Sequence, residues 1–544
     1  MKNKNTLCTL LAAAVMLSAL SGCSAIREKK KSEINIAIGA SPATMDPQLV
    51  SDTNSGRMTS LFTCTLYMYD ENSAVVPGLA ESMEWSEDNL TATCHLKEGI
   101  KWSDGSPITA DDFVYAFKHL ADPQTASSAV YLITSCCIIQ NAVEVSKGEA
   151  PVSELGVTAV DHQTFQVKLE VPCPYLNSLF TMPDFAPRNR AFCENVGSDN
   201  YATSADTILS SGAFIPDLYE PLAAQIHMKK NPYYIFADES GLPGVNIQIV
   251  SDSQQAIMCF ETGVFDIVSV NGSVYELAEG DSCLHDYPTV STQFIKINCK
   301  TNQYLGNKNI RMALSKVIDR KSLADNVLRT GYNPLYAMSP PGYFTEDDGT
   351  DFYGDGSRYL EYTGFDVNKA AELWKQGLDE IGTSSVNVKL TYYSGNSALA
   401  EAIESQAEKA LPGCDIELDP VTQKEYLKMS SSGDGFDLLM AGWVADYGDP
   451  TSFLNLFLTG SEKNVYSSDE FDSLLDKANE SEIINTPGER NKILHQAEDM
   501  LMSEAAVIPL FSVDDSILVR EGVTGFTETP TSAYSVRKLD KEVR

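Results

Sequence analysis

Hydrophobic and polar positions alternate most cleanly between residues 386 and 444. Val386, Val388, Leu390 and Tyr392 fall at every second position, the period of a strand with one buried face. Leu399 to Leu411 follows with helical spacing and stops at Pro412-Gly413. A short strand Asp415 to Leu418, a helix over Lys424 to Met429 and an apolar strand Phe436 to Val444 complete a β-α-β-α-β series. That series predicts an α/β fold with a parallel doubly wound sheet. Ligands of such sheets bind beyond the carboxyl ends of the strands. The stretch that leaves the last strand, Trp443-Val444-Ala445-Asp446-Tyr447, is therefore where a site is expected, near Asp446.

Residues 63–187 have a different texture, with Gly and Pro punctuation and short strands such as Thr164 to Leu169. One helix interrupts it: Phe113, Ala116, Phe117 and Leu120 share a face, Thr109 is placed to cap it and Pro123 to stop it. Mixed α/β patterning covers Ile34 to Phe62 and Arg188 to Pro288, including a strand Val245 to Val250. The C-terminal part predicts helices over Asp469 to Ala478 and Glu489 to Leu501, then a strand Val507 to Val513.

The 544 residues carry a formal charge of −35, a field that repels nucleic-acid backbones, so no nucleic-acid partner is expected. Leu7 to Leu20 is the one long apolar stretch, shorter than the roughly 20 residues of a spanning helix, and it follows Lys2 and Lys4. It reads as an export signal over residues 1–22. Its end, Leu20-Ser21-Gly22-Cys23, resembles the bacterial lipobox, which implies lipidation of Cys23 and a polar tether over residues 23–31. The membrane is then reached through the lipid anchor only. Ten cysteines remain beyond Cys23, without any Cys-x-x-Cys pair, and they leave disulfides and a reducing habitat both open. Cys136-Cys137 lie in the apolar run Tyr131 to Ile139 and read as buried, inert thiols.

Phosphate-loop, zinc-protease and nucleophile-elbow motifs are absent, and the six histidines lack ligand spacing, so no enzyme activity, cofactor or metal is expected. The acidic stretch Asp347 to Glu361 imitates a calcium loop at Asp351, Asp355 and Gly356. Tyr353 and Tyr362 occupy positions that should be ligands, so it reads as a solvated loop.

The segment Met440 to Asn455, with Trp443, Asp446 and the turn Gly448-Asp449-Pro450, resembles the hallmark of extracytoplasmic oligopeptide-binding proteins of ABC importers, the OppA-like solute-binding proteins of family 5. Other blocks agree in order: Pro42 to Pro47, Pro77 to Ser82, Trp102 to Phe113, Leu155 to Val157, Lys230 to Tyr234, and Ile310 to Leu314 with Asp319-Arg320.

The resemblance implies a two-lobed periplasmic-binding-protein-like fold of the class II, cluster C type. Lobe I would comprise residues 32–62, 188–290 and 515–544, with an extra subdomain inserted at 63–187, and lobe II residues 291–514. It implies peptides with a free amino terminus, bound extended between the lobes, and ABC transporter permease subunits as partners of a monomeric receptor at the outer face of the cell membrane. The aspartate that pairs with the peptide ammonium falls on Asp446 and its aromatic neighbour on Trp443. Main-chain contacts fall on Gly442, Val444 and Ser51-Asp52-Thr53. Basic residues that meet the peptide's carboxylate in relatives appear here as Met440, Ala398 and Leu328, and a peptide-touching tyrosine falls near Ala129. The implied alternatives are a family receptor for another solute (a nickel chelate, haem, a murein or signalling peptide) and, from another class, a secreted hydrolase.

Overall fold

The alternating run Val386 to Tyr392 becomes the strand Val386–Tyr393, with Val386, Val388 and Leu390 wholly buried. It runs parallel to Cys414–Val421 along its full length and parallel to Leu438–Val444 at Leu390 and Thr391. Helices Ser397–Ala410 and Gln423–Ser432 make the crossovers. The second is longer than its apolar pattern because its ends are set by caps. Thr422 and Glu425 form a capping box at the start, and Gly433, at φ 70°, closes the end.

This computed structural model describes residues 32–270, 274–300, 302–329, 331–346, 348–460 and 466–542. The export segment, Cys23 and the tether lie outside the described residues, as does Asp347. The parallel unit is one end of an 11-stranded sheet whose order is Cys414–Val421, Val386–Tyr393, Leu438–Val444, Leu284–Ile297, Val507–Val519, Ile267–Val270, Ile34–Ile38, Gly244–Ile249, Gln225–Lys230 and Phe214–Leu218. Tyr332–Pro334 pairs onto Val507–Val519.

Two long antiparallel strands, Leu284–Ile297 and Val507–Val519, run through the middle of this sheet and join its halves. Leu284 to Pro288 pair with Leu518 to Asp514; the register then slips, and pairing resumes at Thr292 with Ser512. The apolar faces of Val507–Val519 are buried at both ends, and its centre, Val513-Asp514-Asp515, is half-exposed. The expected strand therefore ends six residues early: its hydrophobic signal stops where the chain passes between two cores.

Residues 80–168 add a four-stranded antiparallel sheet, Ala80–Trp85, Thr91–Leu96, Thr164–Lys168 and Val157–Asp161, beside helix Ala110–Ala121. Thr109 and Asp112 form that helix's capping box, and Phe113, Ala116, Phe117 and Leu120 are its buried face. The Phe117 ring meets those of Phe165, Phe180 and Phe185. These side chains and those around Ile34–Ile38 form one continuous core. The expected helix Asp469–Ala478 is present with the same bounds, and Glu489–Ser503 extends its expected counterpart by one half-turn.

In the acidic stretch the carboxylates bind their own turns. Asp351 accepts from the main chain of Tyr353, Gly354 and Gly342, and Asp355 from that of Ser357. None of these ten cysteines is in a disulfide among the described residues. Cys137 is wholly buried and burial pushes its thiol up to about 12, whereas Cys136 is half-buried.

Candidate ligand-binding site

Strand Leu438–Val444 is bordered along its whole length by Leu284–Ile297, from Leu438 opposite Ile297 to Val444 opposite Ser291. On its other edge Val386–Tyr393 pairs only with Leu438 and Leu439. From Met440 to Val444 no strand among the described residues covers that edge, which leaves main-chain groups where an extended ligand could add as a strand. Gly442 itself is needed for space: a Cβ there would stand 2.5 Å from the Gln293 side-chain amide across the pair. Trp443 is half-buried against the core under this strand, and Val444 is exposed.

The chain beyond Val444 is held at several points. The Ala445 N–H donates to Val290 O at 2.7 Å and the Asp446 N–H to Ser452 Oγ at 3.0 Å. Asp449 forms a two-pronged ion pair with Arg490, at 2.5 and 3.1 Å, and its Oδ1 also accepts from the Thr451 N–H and hydroxyl. Tyr447 is buried and stacks on Tyr175, ring centroids 4.0 Å apart and 7° from parallel. The Gly448 N–H donates to Ser178 Oγ at 2.7 Å. Tyr69 and Tyr343 meet through their hydroxyls. The loop that carries Asp446 is thus clamped against residues 131–178 of the inserted region.

Tyr131 completes this seam by donating its hydroxyl to Asp446 Oδ1 at 2.7 Å. Burial and the neighbouring carboxylate hold the Tyr131 hydroxyl in its protonated, donating form. Sequence reasoning missed Tyr131, which lies two residues beyond Ala129. Ala129 is a buried small residue, and Tyr131 presents the hydroxyl on this part of the chain.

The remaining expected site residues are arranged as follows. Asp52 caps helix Thr53–Phe62, its carboxylate accepting from the Ser55 N–H and hydroxyl. Ser51 and Thr53 are exposed, and Thr53 lines a cavity of about 310 Å³ with Arg57 and Asp515 rather than a shared pocket with Asp446. Met440 is buried, Leu328 packs against the same core and Ala398 is exposed.

A family profile described as "Bacterial extracellular solute-binding proteins, family 5 Middle" matches residues 74–465. The chain belongs to this family. Its members are transport receptors and not enzymes, and they act outside the cytoplasm. The oligopeptide-binding protein OppA of Bacillus subtilis (strain 168) is 28% identical over 514 residues, covering 91% of this chain and 90% of that protein. The structure of Listeria monocytogenes OppA bound to peptide is 28% identical, with a TM-score of 0.73, and covers 94% of this chain and 100% of that one. An unliganded open form of the periplasmic murein tripeptide binding protein MppA is 25% identical, with a TM-score of 0.78, over 94% of this chain and 98% of that one. The two-lobed α/β architecture expected of this solute-binding protein is the one it has.

Proposed function

We propose that this chain is the peptide receptor of an ABC importer, anchored through a lipid on Cys23, and that it works as a monomer which passes its ligand to the permease subunits. The proposed lobes are residues 32–62, 188–290 and 515–544 with the insertion 63–187, and residues 291–514. The register of the two long strands slips between Pro288 and Thr292, beside the proposed crossing at 290/291.

One observation carries the ligand assignment: the Asp446 carboxylate stands just past the uncovered edge Met440 to Val444. A peptide main chain added to that edge puts its terminal ammonium at the carboxylate, while Gly442 and Val444 offer main-chain groups. The relatives named for peptide binding support the same ligand. Trp443 forms the wall beside it, and Ser51, Asp52 and Thr53 approach from the other lobe on closure.

Calorimetric titration with free and N-acetylated forms of the same peptides tests this. Acetylation removes the cation and leaves Asp446 without it, a loss expected at about 3 kcal/mol, more than a hundredfold in affinity. Equal binding of both forms would reject Asp446 as the anchor. For the tether, Cys23→Ser is expected to release the protein from the membrane fraction, and unchanged fractionation would reject the lipid anchor.

A further inference from the structure

The parallel strands around Ile34–Ile38 end at a cavity that the reading above leaves without a ligand group. Ile34–Ile38 runs parallel to Gly244–Ile249 and to Ile267–Val270. Ile38, Val250 and Val268 form an apolar wall of the cavity of about 310 Å³ at the carboxyl ends of these strands, where sheets of this kind bind ligands. Helices Thr53–Phe62 and Ser253–Glu261 begin at the same cavity, with Thr53, Asn54 and Ser253 in its lining. Asp52 and Asp252 cap them at the N–H groups of Ser55 and Gln255, so the first two N–H groups of each helix have no intrahelical acceptor.

Arg57 adds a cation to these donors. It is only 8% exposed, yet it lines the cavity. Its Nε donates to Glu528 Oε1 at 2.6 Å and its Nη2 stands 2.5 Å from the same oxygen, so Glu528 occupies the inner edge of the guanidinium. Glu528 is not part of the cavity lining. Asp515 is, and its contact with Nη2 is longer, at 3.3 Å. Nη1 has no acceptor among the described residues. The outer edge, Nη1 with Nη2, can grip a carboxylate by two bonds, and here it is held only by that one long contact. Burial pushes the Glu528 carboxyl up to about 8, so it offers Arg57 little negative charge near pH 7.

We infer that this cavity is a subsite for an acidic side chain of the peptide, a glutamate before an aspartate, with its carboxylate on the outer edge of Arg57. This deepens the proposed function and rests on it, because Thr53 belongs to the segment that meets the ligand there. The apolar wall suits a methylene stem, and the guanidinium and helix N–H groups suit an anionic end; a terminal carboxylate brings no such stem. The sheet sets the reach. Trp443 is opposite Thr292, Thr292 is opposite Ser512, and Asp515 follows Ser512 by three residues. Two strand spacings and three residues of rise put Asp515 about 14 Å from Trp443, roughly four extended residues. The charge of −35 on the whole chain repels acidic peptides, so a preference for one must come from local groups.

Calorimetric titration of the whole protein with hexapeptide amides tests this. The peptides have a free amino end and a background of alanine and serine, and carry Glu or its uncharged isostere Gln at one of positions two to six. In the wild type one position is expected to favour Glu over Gln by about tenfold or more, the scale of a hydrogen bond to a charged group, and Asp by less. Arg57→Gln is expected to reduce that ratio to less than about twofold, and Arg57→Lys, which keeps the charge without the two-pronged edge, to leave an intermediate one. A purely structural role for Arg57 would weaken the Glu and Gln peptides alike and preserve their ratio, which would overturn the inference. Because Arg57→Gln leaves Asp515 without its partner, Arg57→Gln with Asp515→Asn is measured beside it, and thermal melting verifies folding. Should neither fold, Arg57→Lys reports the ratio, and a wild type without a Glu preference at any position overturns the inference without any variant. A preference for the free acid over the amide of the background peptide, lost in Arg57→Gln, would move the carboxylate to the peptide's end and overturn the side-chain assignment. Equal binding of N-acetylated peptides fails the reading of Asp446 itself, whereas a required amino end without a Glu preference rejects this subsite alone.

Discussion

Tyr131 and Asp446 are 315 residues apart in sequence and joined by a 2.7 Å hydrogen bond between the inserted region and the loop after the uncovered strand. The bond gives the carboxylate a fixed hydroxyl donor, and on the proposed reading a ligand ammonium is a stronger partner than a hydroxyl. Tyr131→Phe removes it. Ligand-free protein is expected to lose about 1–3 kcal/mol, the range for a hydrogen bond to a charged group, and to recover part of it with saturating peptide. Thermal melting with and without peptide measures both effects. An equal loss in the two conditions would mean that the hydroxyl and the ligand do not share Asp446.

The loop that aims Asp446 depends on a second pair. Arg490 and Asp449 are both close to nine-tenths buried and bonded by two prongs. Arg490→Leu leaves Asp449 charged and without its guanidinium, and losing one member of such a pair is expected to cost about 3–5 kcal/mol. Urea unfolding checks the figure. Arg490→Leu with Asp449→Asn should recover much of the loss, because no stranded charge remains. If the double variant is as unstable as the single one, the loop is held by packing, for which the Tyr175–Tyr447 stack is the first candidate.

Asp446 stood out as a candidate because it follows a strand whose period is local: an apolar run, then Trp443 and an acid at its carboxyl end. Tyr131 did not. It begins the apolar run through Ile139, where an aromatic residue is indistinguishable from core, and its role exists only once a residue 315 positions away is brought beside it. Strand Leu284–Ile297 escaped for another reason. Pro288 interrupts it, and its burial changes at the crossing between halves, so no single period describes all of it. Asp52 illustrates the reverse case: its position relative to helix Thr53–Phe62 is that of an N-cap, and capping is the work its carboxylate does here.

Glu498 makes stability depend on pH. It is wholly buried; its Oε1 accepts from the Met338 and Ser339 N–H groups and its Oε2 from the Tyr359 hydroxyl. Burial nevertheless outweighs these donors and pushes the carboxyl from 4.5 up to about 7. The folded state therefore holds a proton that the unfolded state releases between those values. Stability is highest below about pH 4.5 as far as this group is concerned, falls as pH rises through that window, and is level above it. The change is on the order of 3 kcal/mol at 1.36 kcal/mol per unit. Glu498→Gln keeps an acceptor for the two N–H groups and has no proton to lose. Its denaturation midpoint should therefore decline less than the wild type's between pH 5 and 7. Parallel declines would assign the slope to other groups.

On the proposed reading the two ends of a bound peptide should behave differently, because the proposed site offers them different partners. At the amino end Asp446 is fixed by its main chain, by Tyr131 and by the clamped turn at Asp449. At the places where relatives are expected to hold a basic partner for the carboxylate, Met440 is buried, Leu328 packs into the core and Ala398 ends in a methyl group. None of the three can offer a charge or a donor from its side chain. A peptide carboxylate near them gains nothing over an amide, and its negative charge enters a molecule that already carries −35. Amidating the C-terminus of a peptide with a free amino end is therefore expected to leave affinity within about threefold, or to improve it slightly at low salt. Calorimetric titration of acid and amide forms at two ionic strengths decides this. A loss of tenfold or more on amidation would reveal a cationic partner elsewhere in the cleft. Arg57 would then be the first residue to substitute, because it lines the cavity at Thr53 and is held there by Glu528 and Asp515.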